Sequence, residues 1–192
     1  MGETHPVRWT YILIVSTFAV FVIQNITRSW IFFAFIPAYA SRYPWMYVTS
    51  IFLHASIEHI LVNMVVLLVF GTLLERRVGS LQFLLLFVLA GVIGNVGYQV
   101  TTTSQFTPSV GASGAIYGVM GALALLDPLH VVYLGFIFPL PIIVIMPLYA
   151  LLDFLGLFTT DNVAHGAHLG GLVLGILYGI YLRYVIKPPP SM

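Results

Sequence analysis

The chain has 192 residues, of which 60% are hydrophobic and 7% are charged, and its mean hydropathy is +1.03. This composition excludes a water-soluble domain and is typical of an integral membrane protein. The net charge of +1 provides no basic surface for nucleic acid. The absence of cysteine excludes disulfides, thiolate catalysis and cysteine-ligated zinc.

Apolar segments fill most of the chain and predict membrane-spanning helices of about 20 residues each. These spans leave no room for a separate soluble domain, so we expect one domain over residues 1–192. The predicted fold is an all-helical membrane bundle of six spans with a short central fourth helix, and seven spans remain an alternative. The six spans are residues 10–26, 58–74, 81–100, 113–126, 135–157 and 163–185.

Some regions depart from this regular pattern. Residues 27–57 are rich in aromatic side chains and contain two prolines, which predicts a partly membrane-embedded loop. The fourth span is short for a full crossing, because Asp127 and Pro128 end it. Further prolines obscure the start of the fifth span, since proline donates no backbone hydrogen bond. Glu75 and Arg77 predict an ion-pair cluster at the end of the second span.

The distribution of basic residues predicts the topology. Six spans put both termini on one side, and cytoplasmic segments carry an excess of Lys and Arg. With the N-terminus inside, five basic residues are cytoplasmic and two are outside. The cytoplasmic set is Arg8, Arg76, Arg77, Arg183 and Lys187, and the outer set is Arg28 and Arg42. We therefore expect both termini to be cytoplasmic.

In this topology the second, fourth and sixth spans all start at the outer face. His54, His59 and Asn63 surround the start of the second span, Ser113 starts the fourth, and His168 lies near the start of the sixth. Polar residues at membrane depth are costly and usually face a cavity with a function. Their convergence at one depth predicts a functional site that opens to the outer face.

Ser113 is the candidate nucleophile. It lies between Gly111 and Gly114 in the run Gly-Ala-Ser-Gly, at a helix start whose N–H groups and dipole favour an oxyanion. A serine hydroxyl becomes a nucleophile when a neighbouring base takes its proton. The alternatives are an N-cap serine and a close-packing surface between helices.

His168 is the candidate base, and a packed histidine is the alternative. Gly171 and Gly175 follow it with the spacing that lets membrane helices approach closely, which would bring His168 towards Ser113. Gly94, in the third span, is expected to lie away from this contact.

Two nearby groups complete the interpretation of His168. His165 is interpreted as solvated, because it lies one turn nearer the surface. We expect no carboxylate to orient His168, since Asp161 is seven residues away in a loop. A Ser-His dyad without a third member is therefore predicted.

His59 and Asn63 are four residues apart and so share one helical face, where both could donate hydrogen bonds to an oxyanion. The HExxH order typical of zinc proteases is absent, so we expect no metal and no other cofactor. Tyr117 lies one turn after Ser113, where its ring could stack on an imidazole or serve as a core aromatic.

Together these residues resemble the rhomboid family of intramembrane serine proteases. The resemblance extends from about Trp45 to the sixth span, with matching order and spacing. The matching motifs are His54-x4-His59-x3-Asn63, Glu75-Arg76-Arg77, Gly111-Ala112-Ser113-Gly114 with Tyr117, and Ala167-His168-x2-Gly171-x3-Gly175.

The resemblance implies a role for each of these side chains. Ser113 would be the nucleophile and His168 the base, while His59 and Asn63 would join the Ser113 amide in binding the oxyanion. Tyr117 would stack on His168. The implied activity is hydrolysis of peptide bonds in or beside the transmembrane segments of single-span substrates in the lipid bilayer. The alternative is a non-catalytic rhomboid-like protein, either chaperone-like or a transporter, that uses the same cavity for binding.

The same resemblance concerns the loop between the first two spans. His54 would be structural and would tie this loop to the second span. Family members often carry Trp-Arg in the loop, whereas this chain has Trp45-Met46. The missing guanidinium leaves open what anchors the loop.

Overall fold

The computed structural model describes residues 5–134, 137–161 and 163–186. Lys187, which entered the predicted topology, lies outside the described residues. The α-helices are α1 (Trp9–Thr27), α2 (Pro37–Ala40), α3 (Met46–Thr49), α4 (Ile57–Val66), α5 (Thr72–Val78), α6 (Ser80–Thr101), α7 (Ser113–Leu126), α8 (Ile142–Gly156) and α9 (His165–Tyr181). Two 3-10 helices, two π-helical segments and a hairpin complete the described elements: Trp30–Phe32, Ser50–Phe52, Leu67–Gly71, Leu182–Ile186, β1 (Val131–Leu134) and β2 (Phe138–Pro141).

The architecture is a bundle of membrane helices, as the sequence predicts, with one β-hairpin before α8. A π-helical segment joins α4 to α5, so residues Ile57–Val78 form one continuous helix. Among the described residues, four helices are long and apolar enough to cross a membrane: α1, this continuous helix, α6 and His165–Tyr184, which extends α9. Helices α7 and α8 are apolar but shorter. The number of crossings stays a prediction.

Helix α7 is the short central helix of the bundle and is buried along most of its length. Its close approach to α9 depends on glycines. A Cβ atom added at Gly171 would overlap the carbonyl oxygen of Gly114, and one at Gly175 would overlap that of Gly118. Small residues let helix backbones approach this closely in lipid. The predicted packing of the fourth span against the sixth is confirmed.

Helix α6 reaches the same contact, so the expectation for Gly94 is wrong. A Cβ atom at Gly94 would lie 2.9 Å from the carbonyl oxygen of Ala167 and 3.4 Å from the Cα atom of Gly114. Gly94 therefore faces both helices that carry the candidate site. The glycine spacing of the third span could not show which neighbours it faces.

The predicted fifth span, residues 135–157, is wrong at its start. A two-stranded antiparallel hairpin precedes α8, with Val131 paired to Pro141. Pro141 is the N-cap residue of α8, so the helix begins only at Ile142. A proline fixes its own φ and lacks an N–H group, which suits a helix start. Pro147, in contrast, lies inside α8.

The loop between α1 and α4 is anchored without a guanidinium at position 46. Met46 is buried, with 3% of its surface exposed. The Trp45 indole N–H donates to the carbonyl oxygen of Phe32 at 3.1 Å. From α6, the Asn95 side-chain amide donates to the carbonyl oxygen of Tyr47 at 2.9 Å. Apolar burial and side-chain hydrogen bonds therefore hold the segment that carries the Trp-Met pair.

Glu75 does not form the predicted ion pair with Arg77. Its carboxylate accepts hydrogen bonds from the three backbone N–H groups of residues 8–10, each at 2.9 Å, and from the Thr10 hydroxyl at 2.7 Å. These donors lie at the start of α1, where the helix dipole favours an anion. Arg77 instead pairs with Asp127. Glu75 thus ties α5 to the start of α1.

Candidate active site

Ser113 is the first residue of α7, and its hydroxyl faces the sixth predicted span. Ala112 is the N-cap residue of this helix, so the Ser113 hydroxyl does not serve as the cap. The Ser113 Oγ atom lies 2.8 Å from the Nε2 atom of His168. This is the geometry in which an imidazole can accept a hydroxyl proton. The structure brings together two residues that are 55 positions apart in the chain.

Gly111 shapes the turn that delivers Ser113 to the helix start. Its φ is +132°, a conformation that L side chains rarely adopt. Its N–H group donates to the carbonyl oxygen of Ser50 at 3.0 Å. A Cβ atom at this position would lie 2.8 Å from Cε1 of His59, so the His59 ring would have to move. A glycine is therefore needed here for both conformation and space.

The predicted stack of Tyr117 on His168 is present. The two ring centroids are 4.4 Å apart and the ring planes differ by 9°. Tyr117 is four residues after Ser113 on α7, so the same helix face presents the hydroxyl and the aromatic ring. The stack covers one face of the imidazole and limits its rotation about χ2.

The expectation that no carboxylate orients His168 is wrong. The Oδ1 atom of Asp153, on α8, lies 2.7 Å from the Nδ1 atom of His168. Asp153 is 4% exposed. Acids close to His168 in the chain do not include this carboxylate, which α8 brings from 15 residues away. The signal was available in the sequence: Asp153 is the one charged residue in an otherwise apolar segment.

His165 is not a solvated residue, contrary to the prediction. Only 14% of its side-chain surface is exposed. Its Nδ1 atom lies 2.7 Å from the same Asp153 oxygen, and its Nε2 atom lies 3.1 Å from both carboxylate oxygens of Asp161. The ring also packs on Gly156, at the end of α8. His165 lies one turn before His168 on α9, but Asp161 in the loop after α8 contacts its ring, so the ring is not solvated.

His59 lies beside the turn that holds Ser113. A Cβ atom built on Gly111 would be 2.9 Å from the His59 Nε2 atom and 3.9 Å from the Ser113 Oγ atom. The backbone N–H of Ala55 points at His59 Nδ1, at 3.4 Å. An imidazole that accepts at Nδ1 carries its proton on Nε2 in the neutral form. His59 can therefore present an N–H donor towards the turn that holds Gly111 and Ser113.

Asn63 lies one turn below His59 and is buried, with 5% of its surface exposed. Its side-chain amide donates to the carbonyl oxygen of His59 at 2.8 Å. A primary amide has two N–H groups, so this bond uses half of its donor capacity. The roles of His59 and Asn63 as oxyanion donors stay predictions.

His54 is tied to α1 as well as to α4. The Gln24 side chain donates to the His54 carbonyl oxygen at 2.6 Å and accepts from its backbone N–H at 3.2 Å. The His54 ring packs edge-on against His59 with centroids 4.9 Å apart. His54 thus lies at the junction of the first predicted span, the loop and the second span.

Asp153, His165 and His168 are also a set of metal-ligand types, with one candidate ligand atom from each within 4.8 Å of the others. The distances from Asp153 Oδ1 to both Nδ1 atoms are 2.7 Å, which is a hydrogen-bond distance. His168 also uses its second ring nitrogen in the contact with Ser113. Hydrogen bonding accounts for the arrangement of all three side chains.

Comparison with known proteins gives a family for this arrangement. The family model described as "Rhomboid domain" matches residues 41–185, which include every residue of the candidate site. Over 69% of its length the chain is 35% identical to the putative rhomboid protease YdcA of Bacillus subtilis. It is 29% identical over 96% of its length to the mitochondrial rhomboid protein 1 of Saccharomyces cerevisiae. The rhomboid protease GlpG of Haemophilus influenzae is 30% identical over 70% of the chain.

The chain spans only part of these relatives. The matched region covers 64% of the length of YdcA, 56% of the yeast protein and 68% of GlpG.

Proposed function

The chain belongs to the rhomboid family, and from that premise we propose that it is an intramembrane serine endopeptidase. Its substrates are single-span membrane proteins, which it cleaves in or beside their transmembrane segments. The observation that carries the proposal is the 2.8 Å contact between Ser113 Oγ and His168 Nε2 inside a bundle of apolar helices. The names of two of these relatives, the putative rhomboid protease YdcA and the rhomboid protease GlpG, also support it.

In the acylation step, the Ser113 oxygen attacks the carbonyl carbon of the scissile peptide bond. His168 Nε2 takes the hydroxyl proton as the new C–O bond forms, which leaves a tetrahedral oxyanion and an imidazolium. The imidazolium then gives this proton to the leaving amine nitrogen while the C–N bond breaks. The products of the step are an ester on Ser113, a free amine and a neutral His168.

The oxyanion is stabilised by donors fixed before the reaction. The backbone N–H of Ser113 lies in the first turn of α7, where N–H groups have no intrahelical acceptor and the helix dipole is positive. His59 contributes its Nε2–H group, and Asn63 contributes the amide proton that the His59 carbonyl does not accept. Because these groups do not move during the step, the charge that develops costs little reorganisation.

Deacylation consumes one water molecule. His168 Nε2 takes a proton from the water, whose oxygen attacks the ester carbonyl carbon, and the bond to the Ser113 oxygen breaks as that oxygen regains the proton. The second product is a free carboxylic acid. In the proposed topology the site lies just below the outer face, so water enters from that side while the substrate helix enters from the lipid. Helix α8, which contains Pro147, is the candidate lateral gate.

The alternative function uses the same polar cavity to bind a membrane segment without cleaving it. A fluorophosphonate probe separates the two, because only an activated serine attacks it. For the protease we expect labelling of the wild-type protein in proteoliposomes, none for Ser113→Ala, and cleavage of single-span test substrates that follows the same pattern. Purified wild-type protein that neither labels at Ser113 nor cleaves any substrate in such a panel would favour the binding protein.

A further inference from the structure

The structure places a buried carboxylate behind the candidate base. We propose that Asp153 is a positioning residue that holds His168 in the tautomer and orientation needed to accept the Ser113 proton, with His165 and Asp161 fixing the carboxylate. This inference rests on the proposed function and adds a third member to the predicted dyad.

The hydrogen-bond geometry determines which nitrogen of His168 carries the proton. An ionised carboxylate can only accept, so the 2.7 Å contact with Asp153 Oδ1 requires an N–H at His168 Nδ1. A neutral imidazole has one N–H, which leaves a lone pair on Nε2. That lone pair faces the Ser113 hydroxyl at 2.8 Å. Without the carboxylate, the ring could equally carry its proton on Nε2, where it cannot accept from the serine.

The position of Asp153 is otherwise costly. A carboxylate in an apolar helix loses its hydration and persists only where partners replace the lost water. Asp153 is 4% exposed, and one of its oxygens lies 2.7 Å from each of two imidazole nitrogens. Both partners come from α9. The carboxylate therefore links α8 to the first turns of the helix that carries the base.

His165 contacts the same Asp153 oxygen as His168. Its two ring nitrogens face Asp153 and Asp161, and only an imidazolium donates from both. Asp161 is itself held by the Val163 N–H and the Thr159 hydroxyl, each at 3.0 Å. Hydrogen bonds hold the pKa of Asp161 below its usual range, with the largest effect from the Val163 N–H and smaller effects from His165 and Thr159. The loop after α8 thus keeps an anion beside His165.

The expected consequence is on turnover rather than on substrate affinity. When His168 accepts the serine proton it becomes an imidazolium, and a fixed carboxylate at Nδ1 stabilises that charge. In a soluble serine protease, replacing the corresponding aspartate by asparagine lowers kcat about ten-thousand-fold because it favours the wrong tautomer. The Tyr117 stack also orients His168 in this protein. We therefore expect a loss of about a hundred- to ten-thousand-fold.

The test compares Asp153→Asn and Asp153→Glu with wild type in proteoliposomes that contain a single-span substrate. Asp127→Asn is the matched control, because Asp127 lies at the far end of α7 and pairs with Arg77. We expect kcat to fall at least a hundredfold for Asp153→Asn, with KM within about twofold, partial recovery for Asp153→Glu and no change for Asp127→Asn. At equal folded fraction, an Asp153→Asn kcat above a third of wild type would overturn the proposal. So would a change confined to KM.

A second measurement does not depend on how the Asp153 variants fold. In wild-type protein labelled with 15N-histidine, the nitrogen chemical shifts report which imidazole nitrogen bears hydrogen, and comparison with His168→Ala assigns the signals. We expect a protonated Nδ1 and a bare Nε2 on His168, and the reverse tautomer would refute the proposal. This result stands even if the wild-type protein cleaves nothing, in which case the proposed protease function fails by itself.

The side chains of Asp153, His165 and His168 are also of types that bind metal ions, which is the alternative to hydrogen bonding among them. Chelation of the purified wild-type enzyme, followed by addition of zinc alone, separates these readings. We expect activity to be unchanged by the chelator. Activity that is lost on chelation and restored by zinc would overturn the positioning role of Asp153 in favour of a metal site.

Discussion

Enlarging Gly171 to valine tests whether helix contact sets the geometry of the proposed dyad. A Cβ atom at Gly171 would overlap the Gly114 carbonyl oxygen and lie 2.7 Å from its carbon, whereas ordinary contact begins at 3.4 Å. Helix α9 must therefore shift by more than ~1 Å, because the overlap with the oxygen is closer than the contact with the carbon. Gly171 is three residues after His168, and Gly114 directly follows Ser113, so the shift acts on the dyad itself.

The 2.8 Å contact between Ser113 and His168 would then approach or exceed the range of a hydrogen bond. A misplacement of 1 Å can cost about a hundredfold in rate, so we expect kcat/KM for Gly171→Val to fall by about that factor. The assay is cleavage of a single-span substrate in proteoliposomes, normalised to the folded fraction. Ala19→Val, on an exposed face of α1, is the control and should match wild type. Activity of Gly171→Val within about twofold of wild type would refute the reasoning.

Three further predictions concern the site residues. Ser113→Ala should be folded and inactive, because binding and the oxyanion donors alone give only about a thousand- to ten-thousand-fold acceleration over water; substantial cleavage would remove its assigned role. His168→Ala should be equally inactive, and the double variant no worse, since residues that act as a unit are non-additive; retained activity there with complete loss in His165→Ala would exchange the two histidines. His59→Ala and Asn63→Ala should each lower kcat by about a hundred- to thousand-fold or less, and turnover insensitive to both would dismiss the oxyanion assignment.

The sequence predicts the pairing of Ser113 and His168 because three constraints agree. The apolar segments indicate the spans, the basic residues orient them, and the polar residues then fall at one depth. Small residues on the fourth and sixth spans add the reason for close contact. None of these signals depends on fine geometry, so an error of a few residues in a boundary leaves the convergence intact.

The same signals could not predict the start of the fifth span. Apolar character is shared by the hairpin at Val131–Leu134 and Phe138–Pro141 and by the helix that follows it. Composition therefore extends the span across Pro139 and Pro141. The hairpin is distinguished by backbone pairing between its strands, which the hydropathy pattern of a short apolar run does not report.

The role of Asp153 does not follow from its distance to His168 in the chain. Proximity in the chain indicates only orienting groups from the same helix or its adjoining loop. In a bundle, a side chain's neighbours come from whichever helices pack beside it, and α8 packs against α9 with Asp153 facing both histidines. The cost of placing a carboxylate in an apolar helix is the better guide. Asp153 is the one charged residue of α8. The N–H groups of the two nearest imidazoles compensate the cost of burying its carboxylate. A buried acid in a membrane helix thus indicates that hydrogen-bond donors lie beside it. Here one of these donors is His168, which the Ser113 hydroxyl contacts.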